Sequence, residues 1–231
     1  MRGEQKVIML GDNVMVKMDP ENEFVQTPNG FKLFIDTTYE PEKHMVRTGI
    51  VEAVPKDLSC KDFPWVTENE IQVGDKVVMY YLAIQNCLAP ERRHFIKKGK
   101  TMWIFIKYNN IYVVVRDDKI IPINGYVLVE PIEDPDWEAK VAKAEKAGLA
   151  LPDLRGLSKT HVTYGRVAYT GKPIAQYKDE YKSDKGIDVK PGDEVVIKKI
   201  RDIPMEYEYH AKLDGGRKLL RMQRHNILAV L

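Results

Sequence analysis

Cysteine is scarce in this chain of 231 residues. Cys60 and Cys87 are the only two. They form no CxxC pair and are too few for a disulfide framework, although a single bridge between them stays open. Charge of one sign is also missing, because 36 Lys+Arg against 34 Asp+Glu leave a net charge of +2. That balance argues against a strongly electrostatic nucleic-acid binder and against an acidic tail. No apolar run approaches the roughly 20 residues of a membrane span. The stretch from Val7 to Leu10 is shorter than the about 7–15 residues of a signal-peptide core. The expected location is therefore a reducing cytoplasm, without membrane contact.

Motifs of catalysis are absent in the same way. The five histidines, His44, His94, His161, His210 and His225, show no HxxxH or Cys–His spacing for a metal. There is no GxGxxG for a dinucleotide and no GxSxG nucleophile turn. Gly165 to Lys172 has one residue too many for a phosphate-binding loop. Pro173 stands where such a loop needs Ser or Thr for magnesium. The chain is expected not to be an enzyme and to carry no cofactor and no metal.

What the chain does have is an internal repeat, the first feature to seek in any sequence. Val14-Met15-Val16-Lys17 returns as Val127-Leu128-Val129-Glu130, and Gly49-Ile50-Val51 as Gly165-Arg166-Val167. Val73-Gly74-Asp75-Lys76-Val77-Val78 returns as Pro191-Gly192-Asp193-Glu194-Val195-Val196. Asn110-Ile111-Tyr112-Val113-Val114 returns as Asn226-Ile227-Leu228-Ala229-Val230. Four segments in the same order, at nearly constant spacing, divide the chain into tandem copies, 1–118 and 119–231. If so, Val14, Val16, Val51, Val77 and Ile111 are core positions. Their counterparts Val127, Val129, Val167, Val195 and Ile227 are core positions too.

Each copy reads as β-rich. Val14 to Met18, Val77 to Tyr81, Trp103 to Ile106, Val195 to Ile197 and Leu219 to Met222 are short and rich in β-branched or aromatic residues. Val-Gly-Asp and Pro-Gly-Asp ahead of a strand are turn signals. Short strands with spaced turns suggest a small barrel or sandwich. One segment, Trp137 to Ala147, reads as helical. It is rich in good helix formers, and Gly148 can end it.

The joint order of these motifs resembles the GroES family of co-chaperonins. The opening is Leu10-Gly11-Asp12-Asn13-Val14-Met15-Val16-Lys17, and the closing is Arg224-His225-Asn226-Ile227-Leu228-Ala229-Val230. The doubling is similar to the chloroplast double co-chaperonin. The resemblance implies an all-β fold of two tandem GroES-like small β-barrels with long mobile loops and one short helical stretch. It implies a homo-oligomeric ring that caps a GroEL-type chaperonin and assists ATP-dependent folding, the ATP being bound by the chaperonin. It also implies binding through a Gly followed by an apolar triplet. In this chain those residues are Gly30, Phe31, Lys32 and Leu33 in the first copy, and Gly148, Leu149, Ala150 and Leu151 in the second. Lys32 departs from the family, which has an apolar residue there. The family's roof hairpin would match residues 55–72 and 171–188.

The first triplet has a physical reading of its own. Residues 19–45 are polar and contain Pro20, Pro28 and Pro41, with an apolar island from Phe31 to Ile35. A polar segment with an apolar island is a pattern that orders on binding. The bland alternative is that Phe31, Leu33 and Phe34 form a strand, and Leu149 and Leu151 the end of a helix. Two rival functions remain. Residues 92–100 mix Arg, Lys, His and Phe ahead of Trp103, Phe105 and Tyr108, as a single-strand-binding barrel would. A viral structural protein reusing the barrel is the other. No nucleic-acid partner is expected, given the charge balance.

Overall fold

The computed structural model describes residues 7–19, 24–26, 29–34, 45–58, 68–132, 142–143, 146–147, 164–173, 188–198, 207–208, 217 and 219–231. The protein is mostly β. Two antiparallel sheets carry it, one in each of two compact units that divide between Asn124 and Gly125.

The first sheet contains β1 (Asn13–Met18), β4 (Thr48–Ala53), β5 (Lys76–Met79), β6 (Phe95–Lys98), β7 (Thr101–Lys107), β8 (Ile111–Arg116) and β9 (Lys119–Pro122). Its strand order is β6-β7-β1-β4-β5-β8-β9. A separate two-stranded hairpin pairs β2 (Phe24–Gln26) with β3 (Lys32–Phe34). The second sheet contains β10 (Tyr126–Pro131), β11 (Tyr164–Thr170), β12 (Glu194–Ile197), β13 (Tyr207–Glu208), β14 (Leu219–Gln223) and β15 (Ile227–Val230). Its order is β13-β14-β10-β11-β12-β15.

The repeat read from the sequence is a repeat of topology. The run β7-β1-β4-β5-β8 in one sheet is matched by β14-β10-β11-β12-β15 in the other. Irregularities recur at matching residues. A bulge falls between Met15 and Val16 on β1 and between Leu128 and Val129 on β10. Another falls between Val78 and Met79 on β5 and between Val196 and Ile197 on β12. A 3-10 turn, Tyr108–Asn110 or Arg224–Asn226, precedes each last strand of the matching run.

The Gly–Asp turns recur to the atom. Val51 N–H donates to Asp75 O at 2.9 Å, and Val51 O accepts from Gly74 N–H at 2.8 Å; the N–H and O of Val167 do the same with Asp193 O and Gly192 N–H, both at 2.8 Å. The carboxylates of Asp75 and Asp193 accept the N–H of Gln72 and Lys190, each at 2.7 Å. Gly74 and Gly192 hold φ of +93° and +98°, which L side chains rarely adopt.

All ten expected core positions are buried, at 9% exposure or less. They fall into two separate apolar clusters, one per sheet. Alternation explains this. On β1, Val14, Val16 and Met18 face inward, and the residues between them do not.

Two details differ from the expected elements. First, Tyr81 belongs to no strand: α1 (Tyr81–Leu88) follows β5 and buries Ala83, Ile84 and Cys87. The signal was present in the i, i+4 spacing of Tyr80, Ile84 and Leu88 and in the stop at Ala89-Pro90. Second, residues 119–122 pair with β8 in the first sheet, so the division falls later than 118/119. Asp117 and Asp118, with φ of 50° and 58°, make the two-residue turn that folds β9 back. Within the stretch expected to be helical, the described residues Ala142, Lys143 and Lys146 are helical.

Candidate functional site

The first triplet sits at a hairpin. Phe24 pairs with Phe34, Val25 with Leu33 and Gln26 with Lys32. Apolar, β-forming residues on both sides of Asn29-Gly30 favour this pairing. Of the strand alternative Phe31, Leu33 and Phe34, Leu33 and Phe34 lie on a strand and Phe31 precedes it; the unexpected element is the partner strand Phe24–Gln26. Asn29, Gly30 and Phe31 are exposed. Phe31 is 71% exposed, which is unusual for a large aromatic. Gly30 has φ of +82° with open space around it. Gly30, Phe31, Lys32 and Leu33 are thus brought together, with the ring of Phe31 presented to solvent. Three paired residues on each side make a hairpin that is marginal by itself. Gly148, Leu149, Ala150 and Leu151 lie outside the described residues.

The basic segment 92–100 builds an edge. Arg92, Arg93 and His94 are exposed ahead of β6, and Lys97, Lys98 and Lys100 are exposed along the β6–β7 hairpin. Lysines on an edge strand discourage unwanted strand pairing, which accounts for them without a ligand. Tyr108, a candidate stacking residue, is fully buried and offers no face to a base. Beside this edge an open pocket of about 220 Å³ is lined by Asn13, Asn86, Cys87, Arg92, His94 and Lys107, among others.

Cys87 is a free, buried thiol whose S–H donates to Phe105 O at 3.3 Å. Burial pushes it up to about 11, against a smaller lowering by Arg92. At pH 8 about one thiol in a thousand is ionised, so reaction with iodoacetamide is expected to be slow in the folded protein and fast in denaturant. Equal rates in both conditions, measured by mass spectrometry of the Cys87 peptide, would contradict the packing described here.

Polar contacts at two matching positions hold the units together internally. Tyr108 O–H lies 3.3 Å from both Glu70 Oε2 and Glu68 O. Burial raises the phenol well above its ordinary range, and the Glu70 charge adds to this. At the matching place in the second unit Arg224 is 1% exposed, and its guanidinium grips Asp188 at 2.8 and 3.0 Å. Glu70 and Asp188 precede their Gly–Asp turns by the same number of residues, so one site is built with a hydroxyl in one copy and a cation in the other. Sequence comparison misses the pair because the residue types differ. Asp75 is 3% exposed and takes two hydrogen bonds from Arg116, at 2.7 and 2.8 Å.

Among the described residues no cluster of His, Cys, Asp and Glu is arranged to hold a metal, and no helix is long and apolar enough to cross a membrane. The chain matches no model of a known protein family, and no curated protein matches it.

Proposed function

We propose that the protein is a co-chaperonin, a ring-forming lid for a GroEL-type chaperonin, with each unit a GroES-like barrel. The observation that carries this reading is Phe31, an aromatic 71% exposed beside Gly30 on a hairpin separate from the main sheet. The same five-strand order in both units supports it as well, because a tandem co-chaperonin needs two copies of one fold.

The energetics suit a removable lid. Burying a Phe or Leu side chain in a groove contributes roughly 1.5–3 kcal/mol. One hairpin therefore binds weakly, while a ring of them binds tightly through effective concentration. The chaperonin supplies ATP binding and hydrolysis; this chain supplies the apolar contacts. Phe31 and Leu33 are the anchors in the first unit, and Leu149 and Leu151 in the second.

The test is the rate of ATP hydrolysis by the cognate chaperonin, together with refolding of a chaperonin-dependent substrate. Wild type slows hydrolysis and raises the refolding yield. Phe31→Ser with Leu33→Ser, or Leu149→Ser with Leu151→Ser, removes about 1.5–3 kcal/mol for each anchor and weakens both effects. Lys32→Val leaves them unchanged or strengthens them. A wild type without effect, or Ser variants equal to wild type, would remove this role from the loops.

A further inference from the structure

The pocket beside the β6–β7 edge has walls that the backbone holds in place. Tyr80 N–H, just ahead of α1, donates to Asn110 O at 2.8 Å, and His94 N–H, beyond the end of α1, donates to Cys87 O at 3.0 Å. Phe105 N–H on β7 donates to His94 O at 2.9 Å. The turn after α1 is closed by Arg92 and Arg93, whose N–H groups both donate to Ala89 O at 3.0 Å. These bonds fix the carriers of the polar side chains around the opening. Asn86 lies on α1, Arg92 and His94 follow it, Lys107 ends β7, Asn110 ends the 3-10 turn and Asn13 begins β1. The apolar part of the lining includes Ala83, Cys87 and Ile106, all buried.

The internal repeat supplies a comparison. Asn13 pairs with Lys107 across β1 and β7, and the matching pair across β10 and β14 is Tyr126 with Gln223. Tyr126 carries a ring at that place, with the Arg221 guanidinium 5.0 Å from its centre. Asn13 is short, and its amide N–H donates to Leu10 O at 3.2 Å. The first unit thus keeps room where the second has an aromatic side chain. The charge at the opening is positive. Asp12, whose side chain is 7% exposed, pairs with Lys107 Nζ at 3.7 Å and offsets that cation. Arg92 and His94 remain, both exposed. Among the described residues no hydrogen bond or ion pair engages the side chains of Arg92, His94, Asn86 and Asn110.

We propose that this pocket binds a small organic anion, a carboxylate or phosphate carried on a ring-sized apolar body. Arg92 receives the acid group, because its planar fork matches either acid two bonds at a time. The amides of Asn86 and Asn110 add neutral donors, and His94 a further one. The apolar body rests on Ala83, Cys87 and Ile106. Ligand sites combine an apolar lining with a few placed polar groups in this way. The size fits as well. Benzene occupies a cavity of about 150 Å³, so the pocket's volume of about 220 Å³ holds a ring with its acid group. The inference rests on the pocket and on the internal comparison, not on chaperonin binding.

The test is calorimetric titration of the full chain with no chaperonin present, so its failure is separable from failure of the capping role. Benzoate and phenyl phosphate carry both an acid and a ring. Benzyl alcohol lacks the charge, and inorganic phosphate lacks the ring. At least one of the first two binds with a Kd of about 1 mM or tighter, a modest affinity for a ligand of about ten heavy atoms. The tighter of the two identifies the acid group. Benzyl alcohol and inorganic phosphate bind about tenfold more weakly or not at all. Arg92→Gln weakens binding about tenfold or more, as expected for loss of a charged hydrogen-bond donor, with unchanged circular dichroism because the side chain is exposed. Asn13→Tyr, which brings in the aromatic of the second unit, abolishes binding. Lys98→Gln, on the β6–β7 hairpin but outside the pocket, leaves it unchanged. No binding of either ring-bearing anion would overturn the proposal. So would an Arg92→Gln variant that binds like wild type, a Lys98→Gln variant weakened as much as Arg92→Gln, or inorganic phosphate bound as tightly as phenyl phosphate.

Discussion

Replacing Arg224 by methionine lowers the stability of the second unit by about 3 kcal/mol, the low end of the range for breaking a buried ion pair. The guanidinium satisfies four acceptors. It holds both oxygens of Asp188, Gly125 O at 2.7 Å and Gly171 O. Methionine fills much of the volume but donates nothing, so two carbonyls and a carboxylate lose their donors together. Asp188 is 37% exposed and regains water, which keeps the loss from reaching the top of that range. The equivalent change in the first unit is milder. Tyr108→Phe removes one hydroxyl shared between Glu70 and Glu68, a loss of about 1–2 kcal/mol. Hydrogen exchange followed by mass spectrometry separates the two. Arg224→Met lowers protection in β10, β11 and β14 about a hundredfold and leaves β1 and β4 unchanged. Equal loss in both units, or none, would contradict this account of the buried position.

Gly49→Ala destabilises the first unit by about 3 kcal/mol, through crowding rather than backbone conformation. A Cβ there would lie 2.5 Å from Lys17 O and 2.6 Å from Val16 Cγ1. Lys17 O belongs to β1, which is paired on both sides, with β4 and with β7. It cannot retreat without disturbing a ladder. Gly165→Ala meets Val129 Cγ1 at 2.2 Å and Ile197 Cδ1 at 3.0 Å, the same conflict in the second unit. For units of this size the expected fall in Tm is about 10 °C or more in each case. Gly74→Ala is the control. Its Cβ would meet nothing within 4 Å, and φ of +93° alone is strained, so about 1 kcal/mol is lost. A Gly49→Ala protein as stable as wild type would refute the close approach of β1 and β4.

Much of this architecture was legible in the residues, for a physical reason. Val14, Val16 and Val51 and their counterparts are fixed by the inner faces of paired strands, and the Gly–Asp turns by backbone that demands them. Those constraints act on residue type and so persist in both copies. Tyr108 and Arg224 were not legible, because a hydroxyl and a guanidinium solve the same buried problem with different letters. α1 was hidden by apolar continuity: Tyr80 and Tyr81 extend the run of β5, and only the spacing beyond them turns helical. β9 was hidden by its place beside the second copy, although its partner lies in the first sheet. The Gly30–Leu33 triplet was found as a local pattern. That Phe24 and Val25 would pair with it depended on reading across the turn, which local composition does not reveal.

Electron microscopy of the chain mixed with its cognate chaperonin and ATP tests the capping role most directly. The account predicts density closing the end of the chaperonin cylinder, contacting it through the hairpins that carry Phe31, and lost in the Phe31→Ser, Leu33→Ser variant. Cylinder ends that stay bare at saturating wild-type protein would contradict it.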